Sequence, residues 1–328
     1  MQGSGTRMLK QLAGVLGLAA LGILPAAAQA LSPQVMALYP PQAGELAFVD
    51  LQAARRSPHY EELKSQVLPA NFRDLEEWAR SLGADFDKNV DRLSWVYINT
   101  GDPANSDFAG IAEGAYYLDE IRKVAAESKL RSWSHRGATV YSLGENKRGI
   151  EFVFAFPDNA RLVFGFRPLV EGILERAAAG GPSLLDNAVM RGLVDEVNRR
   201  APVWLVLDPA YTQLGIKQFL GDAADAPGAE TLAQRIVSAT LRLQLDRGLT
   251  ATVGARCASA TDTLWLASFL DTGLFFQRQR LNDSNPTLAR VLSDARIERT
   301  ADRLTLTLAI PEADLLTLLQ SRAFITNF

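Results

Sequence analysis

The chain is poor in the residues that most enzyme chemistry uses. It holds one Cys and 2 His in 328 residues. A single cysteine excludes an intrachain disulfide. Two histidines leave little for histidine-based metal or acid–base chemistry. Charge of one sign is also lacking: 34 Lys and Arg face 37 Asp and Glu, a formal net charge of -3. That balance excludes the strong general field with which proteins hold nucleic acid or anionic membranes. No apolar run reaches the roughly 20 residues of a membrane span. With 48% apolar and 22% charged residues, the chain is neither disordered, collagen-like nor multi-spanning. Its length suggests about two domains, or one duplicated unit.

Sequence signatures of catalysis are missing too. Beyond the first thirty residues there is no G-x-G-x-x-G, G-x-x-x-x-G-K-[ST], H-E-x-x-H or G-x-S-x-G. Gly3-Ser4-Gly5 has no mechanistic context.

What is present begins at the N-terminus. Arg7 and Lys10 are followed by the uncharged apolar stretch Leu12 to Leu24, then Pro25, then Ala28-Gln29-Ala30. A basic region, an apolar core and an A-x-A site are the three parts of a secretory signal peptide. Small residues fit the narrow pockets of a signal peptidase, so cleavage is expected after Ala30. The expected location is periplasmic or extracellular. The alternative, a retained anchor, needs a longer span than this Pro-interrupted run provides, and membrane contact is expected only if the segment is retained. No Cys follows the apolar run to carry a lipid. Removing Arg7 and Lys10 leaves 32 basic against 37 acidic residues in a 298-residue mature chain, a net charge of -5.

The rest reads as strands and helices in mixed order. Glu45 to Leu51, Arg92 to Asn99 and Asp107 to Glu113 read as strands, and so does the shorter Thr139 to Leu143. Ile150 to Phe156 and Arg161 to Phe166 form a hairpin around Pro157-Asp158-Asn159-Ala160. Pro202 to Leu207 is a continuous apolar run, as in a strand buried on both faces. Leu241, Leu243 and Leu245 alternate with Arg242, Gln244 and Asp246, and the alternation resumes from Leu249 to Cys257. That is a hairpin with one wet face. Arg296 to Thr300 and Arg303 to Ile310 make another.

Helices are expected after Ser57-Pro58, over Phe72 to Leu82 with Gly83 ending it, from Leu118, after Pro168, over Leu185 to Val197 and after Pro311. Asp262 to Leu281 is ambiguous, its length favouring a helix. Gly180-Gly181-Pro182 marks the best boundary. Each side holds a hairpin leading into a helix, then a hairpin, a proline and a helix. The expectation is α+β: a first half at 31–181 and a second at 182–328, each a curved antiparallel sheet with helices packed on one face.

Individual candidates read mostly as scaffold. His59 reads as a surface first-turn helix residue, and His135 as an exposed or hydrogen-bonded turn residue. Cys257 falls on an apolar strand face with Arg256 on the other side, and reads as a small buried hydrophobe. Asp85, Asp87, Asn89 and Asp91 imitate the start of a calcium loop. Val90 stands where such a loop wants Gly, and Val96 where it wants Glu, so a polar turn is the better reading. The alternating Phe152, Phe154 and Phe156, with Trp95, Tyr97, Tyr116, Tyr117, Phe164 and Phe166, fill a core or line an apolar cleft. Phe275-Phe276, Phe324 and Phe328 suggest an exposed apolar patch. Arg278, Arg280, Arg290, Arg296, Arg299 and Arg303 are interleaved with acids and read as a mixed surface.

Tyr39 to Lys64 (YPPQAGELAFVDLQAARRSPHYEELK), with Gly83 to Asp91 (GADFDKNVD), resembles the opening of uncharacterised secreted bacterial proteins of the domain-of-unknown-function type. The IPEADLLTLL stretch from Ile310 is similar to their C-terminal ends. The resemblance implies a duplicated α+β ectodomain and offers no catalytic residues, cofactor or metal ligands. The function expected is that of an exported, non-catalytic binding or envelope-assembly protein. Its partner would be a protein or an apolar small ligand, not nucleic acid. The alternatives are an exported hydrolase with a dispersed site, using His135 or carboxylates brought together by the fold, and a membrane-anchored accessory subunit.

Overall fold

A computed structural model describes residues 30–67, 76–77, 80, 85–98, 106–146, 149–220 and 234–321. The signal-peptide segment, most of the helix expected over Phe72 to Leu82, and Phe324 and Phe328 lie outside these residues.

Twelve strands form one antiparallel sheet. They are β1 (Glu45–Asp50), β2 (Val90–Ile98), β3 (Asp107–Gly114), β4 (Ser132–His135), β5 (Ala138–Glu145), β6 (Glu151–Asp158), β7 (Arg161–Phe166), β8 (Val203–Leu207), β9 (Ile236–Leu245), β10 (Leu249–Cys257), β11 (Arg296–Thr300) and β12 (Arg303–Ile310). Their spatial order is β11-β12-β10-β9-β8-β1-β2-β3-β7-β6-β5-β4. The protein is thus α+β, as the sequence pattern implies. The two sheets expected from the two halves are joined edge to edge. β1 pairs with β2 on one side and β8 on the other, Phe48 opposite Trp204. That pairing satisfies backbone groups which two separate sheets would leave as open edges.

Helices α1 (Pro33–Met36), α2 (Leu51–Ala54), α3 (Tyr60–Val67), α4 (Phe86–Asn89), α5 (Leu118–Glu127), α6 (Arg167–Ala179), α7 (Ala188–Val197), α8 (Pro209–Leu220), α9 (Ala260–Leu281), α10 (Pro286–Ser293) and α11 (Glu312–Gln320) surround the sheet. In α6, Pro168 occupies the first turn, Val170, Ile173 and Leu174 are buried, and Gly180 ends the helix at φ 70. Ser183 and Asp186 make the capping box read from sequence, on a short 3-10 turn, Leu184–Asp186.

Three local expectations are corrected. α3 starts at Tyr60 rather than at Pro58, because the Tyr60 amide already bonds the Ser57 carbonyl in a preceding turn. α7 buries Met190, Leu193, Val194 and Val197, while Val189 is exposed. The four-residue spacing drifts around the helix, so Val189 leaves the packed stripe. β4 was not expected: Arg136 and Gly137, both with positive φ, turn Ser132–His135 into a hairpin with β5.

The larger correction concerns the layers. Helices cover both faces of the sheet from β1 to β7. On one face Ile111, Val153, Ala155 and Val163 pack with Val170, Ile173 and Leu174 of α6. On the other, Phe108, Phe154, Leu162 and Phe164 pack with Ile121 and Ala125 of α5. Phe152 to Phe156 is apolar at every position, so both of its faces need cover. From β9 to β12 only one face is packed: Leu249 and Ile310 with α10 and α11, and Ile236, Cys257 and Leu304 with α9. The other face carries Arg242, Thr252, Arg256 and Thr305.

Candidate functional site

α9 is the element with a face left uncovered. Ser259 caps it by accepting the Asp262 amide at 3.1 Å. Arg235 holds the Asp262 carboxylate at 2.6 Å. Arg278 and Arg280 lie in the last turn, where positive charge suits the helix dipole. At 22 residues it runs about 33 Å.

Its inner stripe of Thr263, Leu266 and Ala267 is buried against Ile236, Cys257 and Leu304. The opposite stripe is apolar and exposed: Leu264 50%, Trp265 37%, Phe269 43%, Phe275 48% and Phe276 65%. Trp265 stacks on Phe269 with centroids 5.6 Å apart, and Phe275 meets Phe276 edge-on at 5.7 Å. At 3.6 residues per turn, only Thr261, Ser268, Thr272 and Gln279 complete that stripe. Asp262, Asp271, Arg278 and Arg280 flank it. A helix apolar on both sides is one built to be covered on both sides. The sequence flagged Phe275-Phe276 and missed Leu264, Trp265 and Phe269. The lack of a clean apolar period, which made this segment ambiguous, was the available signal.

A second cluster lies where β1, β2 and α8 meet. The Gly44 amide bonds the Tyr97 carbonyl, and the Asp208 amide bonds the Gly44 carbonyl. Asp208 caps α8 by accepting the Tyr211 amide at 2.8 Å. A Cβ on Gly44 would lie 2.5 Å from the Tyr211 ring, so only glycine permits this approach. Burial pushes the Glu45 carboxyl up to about 7, against a hydrogen bond from Trp95 that lowers it. Burial, then the Glu45 charge, pushes the Tyr97 phenol up to about 12. Burial raises the Asp208 carboxyl as well. Glu45 therefore changes protonation near neutrality. Reading Glu45 to Leu51 as a strand gave no hint of it.

The sequence candidates are dispersed. His59 is not the surface first-turn residue expected: it is buried in the turn before α3, its Nε2 3.4 Å from Glu312. His135 ends β4 with its Nε2 3.6 Å from Glu175. Cys257 is buried, which raises its thiol pKa, and Arg256 pairs with Asp302 at 2.9 Å. The Asp85–Asp91 turn spends its oxygens on neighbours. Asp85 accepts the Asp87 amide, Asn89 accepts the Asp85 amide, and Asp87 binds Lys64 at 2.8 Å. Among the described residues no three His, Cys, Asp or Glu side chains are grouped to hold a metal ion. No described helix is long and apolar enough to cross a membrane. A cleft of about 130 Å³ between α5 and β5 is lined by Leu118, Ile121, Tyr141 and Phe156.

No protein-family model matches the chain, and no curated protein matches it. Among solved structures, the chain is similar to crystal form I of TP0453, at 11% identity and a TM-score of 0.47, over 91% of this chain and 99% of that one.

Proposed function

We propose that this is an exported, non-catalytic assembly protein of the cell envelope, which docks onto a second copy of itself through α9. The carrying observation is the charge-free aromatic stripe of that helix. Trp265, Phe269, Thr272, Phe276 and Gln279 follow one another at four- and three-residue steps, the spacing of a helix–helix seam. The stripe is nearly palindromic about Thr272. An antiparallel pairing sets Phe269 opposite Phe275 and Phe276 of the other copy, and Trp265 opposite Gln279. It also sets the half with Asp262 and Asp271 against the half with Arg278 and Arg280, and opposes the helix dipoles. The five exposed side chains offer roughly 500 Å² of apolar surface. Their polar neighbours extend this toward the roughly 800 Å² per partner of a stable interface.

Export rests on the leader pattern. The residue after the A-x-A site supports a boundary there: the Leu31 side chain is buried, and Asn198 bonds both its amide and its carbonyl. The reading of two related halves is supported by strand order. β1-β2-β3-β7-β6 and β8-β9-β10-β12-β11 follow the same path, with β4 and β5 added in the first. The resemblance to secreted bacterial α+β proteins fits the same reading.

Light scattering of the native protein tests it. A dimeric mass is expected, with Phe269→Glu/Phe276→Glu giving a monomer of unchanged melting temperature. A monomer at all concentrations that floats with phospholipid vesicles would overturn self-association and leave α9 to a lipid surface. Intact mass tests the export reading separately: a native chain starting before Leu31 sinks cleavage.

A further inference from the structure

The bare face of β9, β10 and β12 is not featureless. Where α7 ends, it forms a cleft of about 220 Å³ with the sheet. Antiparallel register builds its floor. Ser238, Thr240 and Arg242 share one face of β9, Gly254 lies opposite Thr240, and Arg256 lies opposite Ser238. Thr305 and Arg303 pair with Gly254 and Arg256 from the other side. The wall comes from α7 and the residues after it: Leu193, Glu196, Val197 and Arg200.

Four guanidinium groups therefore surround one cleft that has a single carboxylate. Glu196 is bound by Arg303 at 2.8 Å. Arg256 is bound by Asp302 at 2.9 Å. Arg200 and Arg242 have no carboxylate within ion-pair distance among the described residues. Both line the cleft, and burial, then the Arg200 charge, lowers the pKa of Arg242 against the charge of Glu196, which raises it. Gly254 keeps the floor open: a Cβ there would fall 2.5 Å from the Thr240 hydroxyl. Like charges that outnumber their counter-charges cost stability, and an anion between them reduces that cost.

We infer that this cleft binds a small ligand through phosphoryl or carboxylate oxygens. Arg200 and Arg242 would grip the oxyanion, with the hydroxyls of Ser238, Thr240 and Thr305 available as further donors. The volume is below the roughly 300 Å³ of a drug-sized pocket, which fits a group of phosphate or citrate size. The site is independent of α9, which lies on the opposite face of the sheet.

Isothermal titration calorimetry of the full chain, with inorganic phosphate and with citrate, each against sodium chloride of matched ionic strength, tests the inference. Saturable one-to-one binding is expected. Tighter phosphate binding assigns a phosphoryl source, and tighter citrate binding a carboxylate source. Arg242→Gln and Arg200→Gln should each weaken binding by at least about tenfold. Arg278→Gln, on α9, should leave it unchanged. Without ligand, Arg242→Gln should melt no lower than the parent, because it relieves the opposition of charges. Should Arg242→Gln fail to fold, the exposed Arg200→Gln carries the test. Heats no larger than the chloride control, or Arg200→Gln binding as the parent does, overturn the site.

Discussion

The stretch from β1 to β7 and the stretch from β8 to β12 lie in one sheet but meet water differently. The first is sandwiched, with Val153 and Val163 facing α6 and Phe154 and Phe164 facing α5. The second is packed on one face only from β9 outward, since Trp204 and Val206 of β8 are still buried under α7. The difference originates in strand chemistry. Phe152–Phe156 is apolar at successive positions, whereas Leu249–Cys257 alternates apolar residues with Thr250, Thr252 and Arg256. A continuous apolar strand demands two layers of cover, and an alternating strand demands one. The economy of the second stretch has a consequence: its uncovered face is where unpaired charge and an open floor can coexist. The proposed anion cleft lies on that face, and structural burial gathers in the first stretch.

The strongest way to break this contrast is to empty the sandwich. Phe164 is fully buried, packs against Phe108, and touches the space over Gly110. Phe164→Ala should cost about 4 kcal/mol. Urea unfolding would measure it, and a cost below about 1 kcal/mol would show that the two-sided packing is loose.

A second test addresses the seam where the stretches meet, since Glu45 pairs with Tyr97 on β2 and Leu207 on β8. Its folded pKa is raised from 4.5 to about 7, chiefly by burial. Below pH 4.5 both folded and unfolded chains hold the proton, and stability is full. As pH rises from there to about 7, the unfolded chain ionises first and stability falls. Above the folded pKa the whole loss, about 3 kcal/mol, is in place. Glu45→Gln should flatten this slope in unfolding curves taken at pH 5 and pH 8. A slope unchanged in the variant would place the titration elsewhere.

The smallest effect is expected on the bare face. Thr252→Ala, on β10 opposite Arg242, should change stability by no more than about 0.5 kcal/mol. A cost as large as that of Phe164→Ala, read from the same denaturation curves, would mean that this face is covered after all.

Local pattern made most elements legible. The hairpin Arg296–Thr300 and Arg303–Ile310 falls where its alternation put it. So do Pro168 in the first turn of α6 and the Ser183 capping box. β4 escaped because Trp133 is its only large apolar residue between Ser132 and His135, too little to show a period. α9 was ambiguous for the opposite reason, being apolar on both sides.

The candidate sites were legible only in fragments. Arg242 could be placed on the wet face of a hairpin, and Phe275-Phe276 on a patch. Nothing local could announce that Arg200 would approach Arg242, since they lie on different elements and are brought together by packing of α7 over β8 and β9. The same holds for Glu45, whose raised pKa comes from burial in the assembled fold.

The sequence by itself determined the class of fold, most of the hairpins, the Ser183 capping box, the leader pattern and the burial of Cys257. All of these follow from spacing and from contacts within a few residues. Tertiary structure alone decided that the strands form one sheet, that helices cover one stretch on both faces and the other on one, and that charges from separate elements share a cleft. These depend on strand register and layer packing, and residues distant in the chain acquire their neighbours only when the sheet is assembled.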